Sequence, residues 1–392
     1  MQRLWACVVG FSFIWAGAWA GGTNKVIATI EVGDTPAGIA VTPNSLYAYV
    51  ANNNNDSLPN GDSVSVLNLL YNTLEQTIHD TSFNEPYTVT INKAGTRAYI
   101  TNSGGSTVTI IDIATNTVIG TIDGFDGPSG FVITPDEKYA YVNNYGAAGG
   151  LGSGNGTTVR VVDLSTNTIV GPPLIVGLAP SALEITPDGA YVYVISYTNG
   201  NLGAGTISII QTNDNSVQLN AIGGLSGPFI IAITPNGQYA YITNFGSNNF
   251  SPVGTTVSVV SLATHSIVDT IPVGIQPSGI AITPDGAFAY VTNYSTLYNG
   301  PSFTDLTPAQ GTVDIIDLKN NKPLGTIIGG VGFSPANIAI APNGQFAYVT
   351  NYLSHSVSVI ALPSTLYNIN RLTPLYERQK DKTITKLNQA NL

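Results

Sequence analysis

Apolar and polar residues alternate along most of the chain in short runs of strand length, and turn residues separate the runs. The segment 276–293 shows the unit most clearly. Two β-branched or aromatic runs flank Thr283-Pro284-Asp285-Gly286. Proline presets φ for the first turn position and glycine supplies a positive φ, so the pattern predicts a β-hairpin. The same unit recurs, in degenerate form, at 38–52, 88–102, 130–144, 182–196, 230–244 and 337–351.

Each hairpin is followed by a third apolar run, at 63–69, 107–113, 158–164, 206–211, 256–262, 312–318 and 356–362. A short turn such as Thr115-Asn116-Thr117 then leads to a fourth run, as at 118–122 or 267–271. Four antiparallel strands repeated every roughly 40–50 residues predict an all-β, seven-bladed β-propeller. The seventh unit has no fourth run, because Pro363 ends the pattern. The segment 25–33 matches 267–274 in sequence and is expected to supply the missing strand, which closes the ring.

The second strand of the hairpin reads Tyr290-Val291-Thr292-Asn293, repeated as Tyr348-Val349-Thr350-Asn351, Tyr241-Ile242-Thr243-Asn244 and Tyr99-Ile100-Thr101-Asn102. This resembles the YVTN-type β-propeller repeat of bacterial exported proteins and archaeal surface-layer proteins, over the chain up to residue 362. The fourth unit departs furthest, with Tyr193-Val194-Ile195-Ser196. The resemblance implies the fold and says little of function, because the repeated residues are structural.

The ends change the picture. Arg3, an apolar stretch over 4–16 and Ala18-Trp19-Ala20 have the layout of a secretory signal peptide cut before Gly21. The expected organisation is therefore signal peptide 1–20, propeller 21–362 and a polar, partly basic tail 363–392. Cys7 lies within the leader, so the mature chain has no thiol for disulfides, nucleophilic catalysis or metal binding. Export to a bacterial periplasm, cell surface or medium is expected. No apolar run in the body reaches the roughly 18 residues needed to span a bilayer.

Strand polarity places the first-to-second and third-to-fourth turns on one face, where all are short. The second-to-third connections and the blade links share the other face. Long connections there, at 52–62, 145–157, 197–205, 245–255 and 294–311, make it the expected working face. Directly after the motif's last residue, units three to seven carry Tyr145, Tyr197, Phe245, Tyr294 and Tyr352. Such a partial circle of rings is either a stacking platform for a peptide, a sugar or another flat apolar ligand, or a set of lids on the blade cores. At one position of the innermost strands the residues are Ala40, Thr90, Val132, Glu184, Ala232, Ala281 and Ala339. Glu184 is the exception, a carboxylate near the channel and a candidate catalytic or ligand-binding acid.

Other chemistry is sparse. His79, His265 and His355 fall on a blade link, a short turn and a long connection, which does not bring them together. The run Asn52-Asn53-Asn54-Asn55-Asp56, with Asp62, offers oxygen ligands suited to calcium, without the spacing of a defined loop. No cofactor is implied. Acids far outnumber the lysines and arginines outside the tail, so nucleic acid is not an expected partner. The expected function is a non-catalytic binding or scaffold module for a protein, peptide or carbohydrate. The alternatives are a propeller enzyme of lactonase, lyase or cofactor-dependent dehydrogenase type, with its site at the channel mouth, and a surface-layer or adhesion component.

Overall fold

The computed structural model describes residues 24–53, 62–146, 154–197, 204–246, 253–294 and 310–363, with the backbone of two short paired strands, Leu297–Tyr298 and Leu306–Thr307. The leader-like segment 1–20, Asp56 and nearly all of the segment 363–392 lie outside the described residues. Seven four-stranded antiparallel sheets form the blades. Their innermost strands are Pro36–Val41, Pro86–Ile91, Pro128–Ile133, Pro180–Ile185, Pro228–Ile233, Pro277–Ile282 and Pro335–Ile340, numbered below as blades 1 to 7. Each innermost strand touches that of the next blade, and blade 7 touches blade 1. As the sequence led us to expect, Lys25–Glu31 pairs with Ser356–Ala361 as the outer strand of blade 7, so strands from both ends of the ring share one sheet.

The molecule has seven apolar cores, one between each pair of neighbouring blades. The repeated Tyr-Val-Thr-Asn strand explains how these are locked. The tyrosine is buried in the inter-blade core, and in five repeats its hydroxyl bonds a residue just before the outer strand of the following blade. Tyr141 donates to Asn215 Oδ1 at 2.7 Å, Tyr241 to Asn321 Oδ1 at 2.6 Å and Tyr290 to Asn24 Oδ1 at 2.7 Å, while Tyr49 donates to Asn116. Every one of these asparagines has positive φ, which accounts for the Thr-Asn-Thr turns: the residue must tolerate a left-handed backbone and offer an acceptor. In blade 5 His265 takes that place and bonds Tyr193 at 2.8 Å.

The motif's threonine ties the blades near the axis. Thr243 donates to the Ser278 carbonyl at 2.8 Å and Thr350 to the Ala37 carbonyl at 2.8 Å, the latter spanning the ring's closure. The asparagine clamps its own blade, donating from Nδ2 to two third-strand hydroxyls: Thr256 and Ser258 for Asn244, Ser356 and Ser358 for Asn351. Its Oδ1 accepts from a blade link in several repeats, as from Gly332 N to Asn351 at 3.1 Å. Blade 4, where Ser196 replaces this asparagine, solves the problem differently. Asn220 of its outer strand bonds Thr206 and Ser208, and Ser196 Oγ is buried without a partner.

The short turns nest around the opposite face. In Thr-Pro-Asp-Gly the aspartate accepts from the threonine hydroxyl, as Asp188 does from Thr186 at 2.6 Å, and the fourth residue takes positive φ. A Cβ at Gly189 would stand 2.9 Å from Cδ of Pro135 in the preceding turn, so glycine serves packing as well as conformation. Where glycine is missing, the side chain reaches back instead: Glu137 accepts from Lys93 N, and Ser45 Oγ accepts from Asn343 N at 3.2 Å.

Candidate functional site

At the loop-rich end every innermost strand begins with proline, and the residue before each proline has positive φ: Thr35, Glu85, Gly127, Ala179, Gly227, Gln276 and Ser334. The carbonyl of that residue accepts the backbone N–H of the residue following the motif's asparagine, as Gly227 does from Phe245 at 2.9 Å and Gln276 from Tyr294 at 2.9 Å. This bond recurs in all seven blades and fixes where the residues after the motif stand around the axis. The side chains of Tyr145, Phe245, Tyr294 and Tyr352 line cavities at the channel's upper mouth.

Three of them form a continuous arc with a ring that sequence reasoning missed. Phe229 stands 5.3 Å from Phe245, Phe245 stands 6.0 Å from Tyr294, and Tyr294 stands 6.3 Å from Tyr352. These separations are those of tilted and edge-to-face aromatic pairs. The arc borders a cavity of about 260 Å³ that Tyr87, the second missed ring, also lines. A smaller adjoining cavity is lined by Tyr145, Tyr87, Tyr352, Phe229 and Glu85. The signal for the missed pair was present. The residue after the strand-opening proline is Ala37, Tyr87, Ser129, Ser181, Phe229, Ser278 and Ala336. The serines are drawn into the walls, where Ser129 donates to Pro180 O and Ser278 to Pro335 O. The two aromatic exceptions project into the mouth.

Burial raises the tyrosine hydroxyls here. Tyr87 is pushed up by desolvation first and by Tyr145 and Tyr352 second, which places the three phenols close together. Desolvation also raises Tyr145 and Tyr352, with the Glu85 charge adding to the latter. Tyr197, at the same motif position, does not join the arc. It is 5% exposed, and its hydroxyl donates to the Gly246 carbonyl of blade 5. The second strand of that blade, Tyr239–Gly246, runs two residues past its asparagine and provides an acceptor at this place. Tyr197 is thereby tied to blade 5.

Glu184 lines a separate chamber of about 460 Å³ in the lower channel, which meets the upper cavity at Thr88, Ile230 and Asn337. Burial pushes its carboxyl up to about 7. No histidine lines that chamber among the described residues. The histidines are dispersed: His265 serves a turn, and His355 Nδ1 accepts from Thr35 N at 3.0 Å beside Asp34. Asp62 has a structural task, accepting from Glu85 N at 2.8 Å at the start of blade 2. Among the described residues, no group of three or more His, Cys, Asp or Glu is arranged to hold a metal ion.

Blade count, strand order and ring closure define a seven-bladed β-propeller. Comparisons with known proteins agree. Seven-bladed beta-propeller protein Rv1057 of Mycobacterium tuberculosis is 32% identical over 154 residues, 37% of this chain and 37% of that protein. PE-PGRS family protein PE_PGRS18 of the same organism is 48% identical over 59 residues, 15% of this chain and 13% of that protein. The chain thus matches less than two thirds of either relative's length. Hydrazine synthase of Kuenenia stuttgartiensis superposes with a TM-score of 0.69 at 20% identity, covering 88% of this chain and 99% of that one, a likeness of fold. No protein-family profile matches the chain.

Proposed function

We propose that this is an exported propeller of the YVTN-repeat type that binds a ligand without transforming it, in the aromatic cavity at its loop-rich face. The supporting observation is the arc of Phe229, Phe245, Tyr294 and Tyr352, held by ring-wide backbone bonds around a cavity of about 260 Å³. A preformed apolar concavity with few polar groups is the usual character of a small-ligand site. The leader-like segment 1–20 supports export, and the four-residue motif supports the repeat type.

The test is ligand-observed saturation-transfer NMR with an aryl glucoside and N-acetylphenylalaninamide, comparing the mature chain with Phe245→Ala and Tyr294→Ala. Binding that falls at least about tenfold in both variants supports the reading. Binding unchanged in both refutes it. A second reading is favoured by Glu184 alone, whose carboxyl near 7 suits general acid–base work. A hydrolase substrate screen in which Glu184→Gln keeps full activity removes that proposal.

A further inference from the structure

The charge of the loop-rich face narrows the ligand, on the basis of the binding reading above. No second-to-third connection and no blade link contains a lysine or arginine anywhere in the sequence. The same segments carry Asp34, Asp62, Asp80, Glu85 and Asp126. Among the described residues, Lys93, Lys138 and Lys319 sit in the short turns of the opposite end and Lys25, Arg97 and Lys322 at adjoining strand ends, while Arg160 lies within the third strand of blade 3. The connections and links that surround the cavity mouth thus contribute net negative charge, and cleft walls of low dielectric focus its field.

The rings select in the same direction. An aromatic face presents the negative part of its quadrupole, so a cation that settles over one of the rings lining this cavity is favoured over a neutral group of equal size. Glu85 supplies a carboxylate beside them: it is 7% exposed and lines the adjoining chamber with Tyr87 and Tyr352. We infer that the cavity takes a small organic cation with an alkylated ammonium head, its alkyl groups against Phe229, Phe245 and Tyr294 and its charge toward the Glu85 side.

Isothermal titration calorimetry of the mature chain at pH 7 and low salt, with choline and its neutral isostere 3,3-dimethyl-1-butanol, tests this. The expected result is at least about tenfold preference for choline, shrinking at higher ionic strength. Glu85→Gln is expected to cut that preference to less than about threefold. Phe245→Leu, which keeps the site apolar but removes the ring, is expected to weaken choline more than the isostere. Equal binding of the two probes, both lost in Phe245→Ala, overturns charge selection and leaves the binding reading standing. Absence of choline binding beside Phe245-dependent binding of the aryl glucoside does the same. Failure of all probes refutes both. Thermal melts of each variant within a few degrees of wild type exclude unfolding as the cause of a loss.

Discussion

Glu184 offers a quantitative check on the interior of the channel. Its carboxyl moves from 4.5 in a model peptide to about 7 because burial penalises the charged form. At about 1.4 kcal/mol per unit the shift corresponds to roughly 3 kcal/mol, a ceiling because water in the channel screens part of it. The folded state holds this proton more tightly than the unfolded chain does. The group's favourable contribution is thus complete below pH 4.5 and is lost as pH rises through about 7. Glu184→Gln mimics the protonated form at all pH values. Urea unfolding should therefore show the variant gaining up to about 3 kcal/mol on wild type at pH 8, and close to nothing at pH 4.5. Taking the difference cancels the surface carboxylates. Asp136 and Asp188 are held low by the adjacent threonine hydroxyls and backbone N–H groups, and they shed stability in the opposite direction as pH falls. A variant-minus-wild-type difference that is flat between pH 4.5 and 8 would refute the placement of Glu184 in a desolvated chamber.

Deleting 21–32 should abolish the single cooperative unfolding transition, because Ser356–Ala361 loses its partner strand and Ile30 its place in the blade 7–1 core; removing 376–392 should leave the melting temperature unchanged. Asn351→Ala should cost about 2–3 kcal/mol in chemical denaturation, since it removes the donor to the buried Ser356 and Ser358 hydroxyls and the acceptor of the Gly332 N–H. Tyr241→Phe removes only the hydroxyl bonded to Asn321 and should cost about 1 kcal/mol, read by the same denaturation assay.

The architecture was readable because every repeated residue carries a local instruction. Proline and a left-handed fourth residue set the turn, and tyrosine, threonine and asparagine each bind one defined neighbour. A pattern that recurs seven times, with local departures, leaves one topology. The closing strand was readable for the same reason, since 25–33 resembles an ordinary outer strand. The site was only partly readable. Tyr145, Phe245, Tyr294 and Tyr352 reach the mouth, but Tyr197 follows the same motif and is captured by Gly246. That capture depends on an extension of the next blade's strand, a relation between blades that one repeat does not contain. Phe229 and Tyr87 escaped notice because they stand outside the motif, at a position where serine and alanine are the rule. The departures from a structural repeat carry the functional information, and their direction is decided by the neighbouring blade.

All three tryptophans of the chain, Trp5, Trp15 and Trp19, lie in the leader-like segment, so a chain beginning at Gly21 is free of indole background. Phe245→Trp then places one reporter in the aromatic arc, and Phe346→Trp places one near the short-turn face at the start of the strand Phe346–Asn351. Titrating both with choline and with the aryl glucoside tests ligand binding at the loop-rich face. The account predicts a saturable emission change in the first variant for at least one probe and none in the second. A change in the second alone, or in neither, would contradict it.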